Sequence, residues 1–182
     1  MPQDKPLIII TDKEGREEFL ADFVSNSVQK IYAIVLRSVG NVQEASRKLK
    51  PMCSKYGVLL LAHAETANIK YCDGVHLNAK SKSVQEVRAA FGGNIAIGYS
   101  SHSVNEAREA LKAGADYVFL SPVFKSKDGL SKPLGLEEFN RAVEEIGSGV
   151  FALGGVNSSN VGLLSTKITG IACMSSIFGD NK

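Results

Sequence analysis

The sequence predicts a closed (β/α)8 barrel in a single domain over residues 1–182. Short runs rich in Val, Ile and Leu alternate with amphipathic stretches along the chain, as they do in repeated βα units. Eight such runs can be distinguished, which is the number of strands that closes this barrel. An open doubly wound sheet is the alternative. Its dinucleotide-binding form carries Gly-x-Gly-x-x-Gly after the first strand, and that motif does not follow Leu7–Thr11.

The elements follow one another in a regular order. The predicted strands are Leu7–Thr11, Tyr32–Leu36, Val58–Leu61, Gly74–Leu77, Ile95–Gly98, Tyr117–Leu120, Val150–Leu153 and Gly170–Met174. The predicted helices are Arg16–Val28, Val42–Tyr56, Val84–Phe91, Val104–Ala113 and Leu136–Ile146. The third and seventh units have room only for short helices near Glu65–Lys70 and Ser159–Ser165. The expected TIM barrel is therefore a compact version of a fold that typically has about 250 residues.

Three helix starts show the spacing of a capping box, in which a polar cap residue is followed three positions later by Glu. The three pairs are Asn41 with Glu44, Ser83 with Glu86, and Ser103 with Glu106. The third pair places the start of a helix directly after His102, at the end of the fifth strand unit.

The composition argues against several classes of protein. The formal net charge is +2 and the basic residues are scattered, so nothing indicates nucleic-acid binding. No apolar run approaches the roughly 18 residues of a membrane span, and no signal segment is evident, so we expect a cytoplasmic protein. The cysteines Cys53, Cys72 and Cys173 are widely spaced, which favours buried thiols over disulfides or a zinc site. A homo-oligomer remains open.

The active site of such a barrel lies at the carboxyl ends of its strands, so polar residues there are candidates. They are Thr11, Asp12, Arg37, His63, His76, Asn78, Ser100–Ser103, Ser121–Lys127, Gly154, Gly155, Ser175 and Ser176. This set includes all three histidines of the chain. His76 could reach the site or be a hydrogen-bonded core histidine. Asp73 and Asp116 stand at strand entrances, where turn or cap roles are expected.

A phosphate site is predicted where the seventh and eighth strands end. Gly154 and Gly155 follow the seventh strand, and Ser175 and Ser176 follow the eighth. Glycines allow close approach to the backbone, and exposed N–H groups near a helix start bind anions. Either pair alone is compatible with an ordinary tight turn or cap. Their joint placement matches the phosphate site common after strands seven and eight of such barrels.

Several motifs together resemble a known family. They are "LIIITD", "DGVHL", "IGYSSHSVNEAREALKAGADYVFLSPVF", "PLGLEEF", "FALGGVN" and "GIACMSSIFGD". In order and spacing they are similar to the thiamine phosphate synthase and TenI family of (β/α)8 barrels from thiamine biosynthesis. The resemblance implies a thiazole phosphate as small-molecule ligand. It also implies substrate contacts from Arg37, His76, Ser100 and Ser126.

The sequence departs from the synthase branch at the positions that hold Mg²⁺ and pyrophosphate. Of a pattern like Gln-x-Arg-x-Lys after the second strand, only Arg37 is present. The Asn-Asp pair expected after the third strand falls near Ala62 and His63, and a second aspartate falls near Ser81. Pro-Thr-x-Thr-Lys is replaced by Lys125–Gly129. Pyrophosphate departure commonly needs Mg²⁺ on carboxylates, so we expect no metal site and no cofactor, with Mg²⁺ required only by a synthase.

The resemblance is therefore nearest to TenI, the thiazole tautomerase, which moves a proton and releases no leaving group. We expect His102 to be its acid/base group, because a histidine can both remove and return a proton near neutral pH. Alternatively, His102 orients Ser100 or bonds a backbone carbonyl. Two other functions stay open: thiamine phosphate synthase with a relocated metal site, and a non-catalytic regulatory barrel that only binds a phosphate ester.

Overall fold

The computed structural model is a closed barrel of eight parallel strands, and it describes residues 5–12, 16–37, 40–64, 69–125 and 132–174. Every strand pairs with its neighbours in chain order, and the eighth closes the ring on the first. The strands are β1 Leu7–Ile10, β2 Ile31–Leu36, β3 Leu59–His63, β4 Gly74–Leu77, β5 Ala96–Ser101, β6 Tyr117–Leu120, β7 Val150–Ala152 and β8 Gly170–Cys173. The predicted architecture is confirmed.

Helices follow most strands in the described part of the chain. They are α1 Glu17–Asn26, α2 Val42–Tyr56, α3 Val84–Phe91, α4 Val104–Lys112 and α5 Leu136–Ile146. Helix α1 ends two residues before the predicted Val28, because Ser27 is already extended. After β7 the described residues form only the 3-10 turn Val161–Leu163, so the seventh unit is short as predicted. Most of the short helix predicted near Glu65–Lys70 lies outside the described residues.

All three predicted cap residues begin a helix. The side chains of Asn41, Ser83 and Ser103 each accept a hydrogen bond from the backbone N–H three residues later. At Ser83 the full capping box forms. At Ser103 the glutamate reaches one residue further back, so Glu106 Oε2 accepts the backbone N–H of His102 at 2.7 Å. This bond and the cap together fix the backbone at the end of β5.

Two apolar layers hold the barrel together. The larger one fills the space between strands and helices, and the smaller one fills the barrel interior around Phe119 and Phe151. The pairing of β1 with β2 shifts register at this level, and Tyr32 and Ala33 both pack against the interior cluster. The Tyr32 ring lies 5.5 Å from that of Phe151 and 6.0 Å from that of Tyr117. A bulge thus adds one extra aromatic ring to the interior.

The amino-terminal end of the barrel is braced by two aspartates. Asp73 Oδ2 accepts the backbone N–H of Leu60 at 2.9 Å, and its other oxygen pairs with Lys50. Asp116 Oδ2 accepts the backbone N–H of Ile97 at 2.7 Å. Each carboxylate therefore completes the hydrogen bonding of a neighbouring strand. Both aspartates stand at strand entrances as predicted, but their carboxylates bond a neighbouring strand instead of a turn or helix start of their own.

Arg88 on α3 ties the same end together. Its guanidinium donates to the carbonyl oxygens of Gly92, Ile95 and Gly114 at distances between 2.7 and 3.2 Å. It also pairs with Asp116 Oδ2 at 2.9 Å. One side chain therefore satisfies four acceptors near two strand entrances.

The cysteines are free thiols. Cys53 and Cys173 are buried and Cys72 is partly buried. Burial raises the pKa of Cys53 to about 12 and that of Cys72 to about 11, so both stay protonated near neutral pH. No helix in the described ranges is both long enough and apolar enough to span a bilayer.

Candidate active site

Arg37 stands at the mouth of the barrel, directly after β2. Its backbone N–H donates to Thr11 Oγ1 at 2.9 Å, and the same hydroxyl donates to the Arg37 carbonyl at 3.0 Å. Thr11 is buried at the end of β1, so it fixes the Arg37 backbone to the neighbouring strand. The guanidinium lies 3.0 Å from the Met174 thioether, and no carboxylate of the described residues pairs with it. A strong donor is therefore available to an anion.

His63 is the last residue of β3 and is half-buried at this mouth. Burial lowers its pKa, and the positive charge of Arg37 lowers it further. Its ring is nearly parallel to that of His76, with 6.0 Å between centroids. Neither nitrogen of the His63 ring bonds to another described residue. The mouth thus contains a neutral imidazole next to a permanent cation.

His76 on β4 is the register partner of His63, and it is only 1% exposed. Its Nδ1 is 2.9 Å from the Tyr117 hydroxyl and its Nε2 is 2.8 Å from Ser100 Oγ. Burial, followed by the charges of His63 and Arg37, lowers the pKa of His76 well below its usual value. Both nitrogens are already engaged, so a direct substrate contact by His76 stays a prediction.

Gly98 makes this arrangement sterically possible. It lies on β5 between His76 of β4 and Tyr117 of β6, and it pairs with both. A Cβ on Gly98 would lie 2.4 Å from the Tyr117 hydroxyl oxygen and 2.5 Å from His76 Nδ1. The two side chains can therefore meet across β5 only because Gly98 has no side chain.

His102 follows β5 and is exposed. Its Nδ1 lies 3.1 Å from the backbone carbonyl oxygen of Ser121, which follows β6. A carbonyl only accepts hydrogen bonds, so Nδ1 carries the proton of the neutral ring. The lone pair is then on Nε2. This lone pair on Nε2 can accept a proton. The bond to a carbonyl also matches the alternative prediction, in which His102 bonds a backbone carbonyl.

Gly154 and Gly155 follow β7 with φ of 92° and 67°. Their conformations have a reason within the protein, because the segment Pro122–Phe124 packs against them. A Cβ on Gly154 would lie 2.5 Å from Pro122 Cβ, and one on Gly155 would lie 2.7 Å from Phe124 Cβ. The backbone N–H of Phe124 donates to the Gly154 carbonyl at 3.0 Å. Phosphate binding by these glycines stays a prediction, because the packing of Pro122–Phe124 already explains why both positions are glycine.

The segment Pro122–Phe124 is held on both sides. On one side the Val123 N–H donates to the Leu153 carbonyl at 3.0 Å, beside the Phe124 bond described above. On the other side, the N–H groups of Leu134 and Gly135 donate to the carbonyls of Pro122 and Val123 at 2.8 and 3.2 Å. This segment therefore joins the end of β7 to the residues that precede α5.

Four of the predicted candidates, Ser126, Lys127, Ser175 and Ser176, lie outside the described residues. Ser81, where the synthase pattern has an aspartate, belongs to a tight turn. Its hydroxyl accepts the Asn78 N–H at 2.9 Å and donates to the Asn78 carbonyl at 2.7 Å. The described ranges contain no group of three or more His, Cys, Asp or Glu side chains that could hold a metal ion.

A separate groove of about 400 Å³ lies on the outer side of the barrel, between the β4–α3 loop and α4. Its lining includes Tyr99, which packs against the outer apolar layer, whereas Ser100 faces the interior. Two of its carboxylates already bond the protein, Glu86 at Ser83 and Glu106 at His102. Of the predicted candidates, Asn78 lines this groove, whereas Arg37, His63 and His102 stand at the carboxyl ends of strands.

Sequence reasoning missed two residues of this site, Tyr117 and Gly98. A tyrosine within an otherwise apolar strand signals that its hydroxyl needs a buried partner, and that signal was available. The role of Gly98 depends on the register of three strands, which the sequence does not display.

Comparisons with known proteins agree with this architecture. A family model described as thiamine monophosphate synthase matches residues 7–177. Thiamine-phosphate synthase of Clostridium novyi is 33% identical over 184 residues, covering 94% of this chain and 89% of that protein. The match to the Dictyoglomus turgidum enzyme of the same name is also 33% identical, but covers 63% of this chain and only 53% of that protein. The thiamine phosphate pyrophosphorylase structure from Pyrococcus furiosus superposes with a TM-score of 0.81 at 25% identity, covering 98% of this chain and 90% of that one.

Proposed function

This chain belongs to the thiamine monophosphate synthase family, and from that premise we propose that it is a thiazole tautomerase of the TenI type. The reaction would move a proton on a dihydrothiazole carboxylate phosphate and give the aromatic thiazole. One observation carries the proposal. The mouth holds the His63 imidazole, whose pKa is lowered, at the position where the synthase pattern places a metal-binding carboxylate.

The donor set at this mouth suits an anion better than Mg²⁺. Mg²⁺ prefers oxygen ligands, usually carboxylates, in octahedral geometry. Here the guanidinium of Arg37 lies against a thioether and near the His63 imidazole. The Asp12 carboxylate after β1 pairs with Arg16, and the Ser81 hydroxyl is committed to its turn. The synthase pattern also has an arginine at the position of Arg37, so His63 and Ser81 are the replacements that disfavour Mg²⁺. A guanidinium bonds a carboxylate in a bidentate manner. Arg37 therefore fits the carboxylate of the proposed substrate.

The phosphate would bind at the other side of the mouth. In the described part of the chain, no acceptor bonds the N–H groups of Gly154, Gly155 or Val156. Exposed N–H groups in a left-handed turn form a concave anion site. The substrate would then be held at both ends, with the phosphate after β7 and the carboxylate at Arg37 after β2.

His102 would carry the chemistry. Because Nδ1 donates to the Ser121 carbonyl, Nε2 can accept the proton that leaves the dihydrothiazole carbon. The electron pair of that C–H bond remains in the ring system, and the same proton returns from Nε2 to another conjugated atom. The atoms and electrons balance without a leaving group. Proton transfer is the one step that this arrangement must catalyse.

The second candidate function is thiamine-phosphate synthase, and the names of the relatives favour it. The experiment that separates the two offers the purified protein both reactions. We expect turnover of the dihydrothiazole carboxylate phosphate that EDTA does not reduce. We expect no pyrophosphate from hydroxymethylpyrimidine pyrophosphate and thiazole phosphate with Mg²⁺. Pyrophosphate release that EDTA abolishes would favour the synthase, and binding without either turnover would favour a regulatory barrel.

A further inference from the structure

The interior of the barrel contains a chain of hydrogen bonds that leads to its mouth. It begins at the Tyr117 hydroxyl, passes through both nitrogens of His76, and ends at the half-buried hydroxyl of Ser100. The residues come from three adjacent strands, β6, β4 and β5, and the contact between the first two crosses Gly98. The predicted site residues include His76 and Ser100 but not Tyr117, which stands at the far end of the arrangement.

The direction of these bonds follows from what Tyr117 can do. Its side chain is fully buried, and His76 Nδ1 is the one hydrogen-bond partner of its hydroxyl in the described part of the chain. If Nδ1 carried a proton, the phenol hydrogen would be buried without an acceptor, at a cost of about 1–3 kcal/mol. The Tyr117 hydroxyl must therefore donate to Nδ1. Burial supports this role, because it raises the pKa of Tyr117 well above its usual value and keeps the phenol protonated.

The state of His76 follows in turn. A neutral imidazole has one N–H and one lone pair, and Tyr117 occupies the lone pair on Nδ1. The proton is then on Nε2, which donates to Ser100 Oγ over 2.8 Å. The Ser100 oxygen accepts this bond, so its own hydrogen is directed elsewhere.

We propose that Tyr117 and His76 are positioning residues that make Ser100 a hydrogen-bond donor to the thiazole ring. The hydroxyl hydrogen of Ser100 points toward the barrel mouth and meets an acceptor on the ring, of which the thiazole nitrogen is the clear candidate. Without Tyr117 the His76 ring could reverse its tautomer, accept from Ser100 and withdraw the donor. The inference rests on the proposed function for its choice of ligand, but the direction of the relay does not.

The first test is made without ligand and without activity. The chain has three histidines, so nitrogen-15 labelling gives three ring systems to assign. We expect His76 to be the tautomer with the proton on Nε2, and we expect Tyr117→Phe to change that state. Tyr32→Phe is the matched control, because its ring packs against Tyr117 without bonding His76. A proton on Nδ1 of His76 in the native protein would overturn the relay.

The second test measures affinity for the aromatic thiazole carboxylate phosphate, the product of the proposed reaction, by calorimetry. Ser100→Ala and Tyr117→Phe should each weaken binding about fivefold to tenfold, as expected for the loss of one hydrogen bond. The double variant should be no weaker than either single one, because both remove the same donor. Losses that multiply would show that Tyr117 acts only through packing and would overturn the proposal. Failure of the native protein to bind the thiazole would instead refute the proposed function, leaving the tautomer result to stand on its own.

Discussion

The two ends of the barrel differ in how fully their polar side chains find hydrogen-bond partners within the protein. At the amino-terminal end the charged side chains of Asp73, Asp116 and Arg88 bond backbone groups and one another. At the mouth, the Arg37 guanidinium contacts a thioether and pairs with no carboxylate of the described residues, and His63 bonds none of them. The first end is complete without a ligand, whereas the second has hydrogen-bonding capacity left for one. This difference in hydrogen bonding favours the mouth as the place where a ligand binds.

The largest expected effect concerns the mouth. His102→Gln replaces the proposed base with a polar side chain that cannot take up a proton, so turnover of the dihydrothiazole should fall by about 10²–10⁴. The thermal midpoint should hardly change, since His102 is exposed. Steady-state rates and a melting curve measure both. Turnover within a few-fold of the native rate would move the acid/base role to His63 or His76.

At the opposite end we expect a change in stability and none in catalysis. Arg88→Met removes donors to three carbonyls and the partner of Asp116, and should lower the unfolding free energy by about 2–4 kcal/mol. The matched control is Arg108→Met, which breaks an exposed pair with Glu145 worth about 0–1 kcal/mol. Urea titration gives both values. If Arg88→Met lowered kcat while the protein stayed fully folded, the proposed difference between the two ends would be wrong.

A smaller effect should come from pH, through His76. Its pKa is lowered in the folded barrel, so below the ordinary value of about 6.5 the unfolded chain binds a proton that the native protein does not. The unfolding free energy should therefore fall as pH falls, by about 1.4 kcal/mol per unit for this one group. Urea titrations at pH 7 and pH 5 should show a smaller difference for His76→Gln than for the native protein. Equal differences would mean that His76 is protonated in the fold.

The smallest expected effect links the two groups at the mouth. Arg37→Gln removes the charge that disfavours the His63 imidazolium, so the pKa of His63 should rise toward its ordinary value. Burial should keep it below that value. Stability should stay within about 0.5 kcal/mol, as for other surface substitutions. An NMR titration of His63 measures the shift, and Lys48→Gln, on the exposed side of α2, is the control that should leave it unchanged.

The strand boundaries show where sequence reasoning succeeds. Strands β4 and β6 end in leucine and have the predicted bounds. Strands β3 and β5 extend two and three residues beyond their predicted ends, as far as His63 and Ser101. An apolar run marks a strand only where both of its faces are buried. At the mouth the inner face turns polar, so the pattern stops before the strand does.

The same reasoning explains what could be known of the site. Rules for barrel ends select Arg37, His63 and His102 from the order of elements alone. They cannot reveal that His76 bonds both Ser100 and Tyr117, because that contact depends on the lateral register of β4, β5 and β6. The order of the elements can be predicted along the chain, whereas contacts between neighbouring strands depend on their register in the closed barrel.

The segment Pro122–Phe124 has a consequence for how this protein can vary. Its hydrogen bonds to Leu153 and Gly154 on one side, and to Leu134 and Gly135 on the other, hold the residues that flank the stretch 125–133. Insertions, deletions or whole exchanges of that stretch can therefore be accepted without displacing β6, β7 or α5.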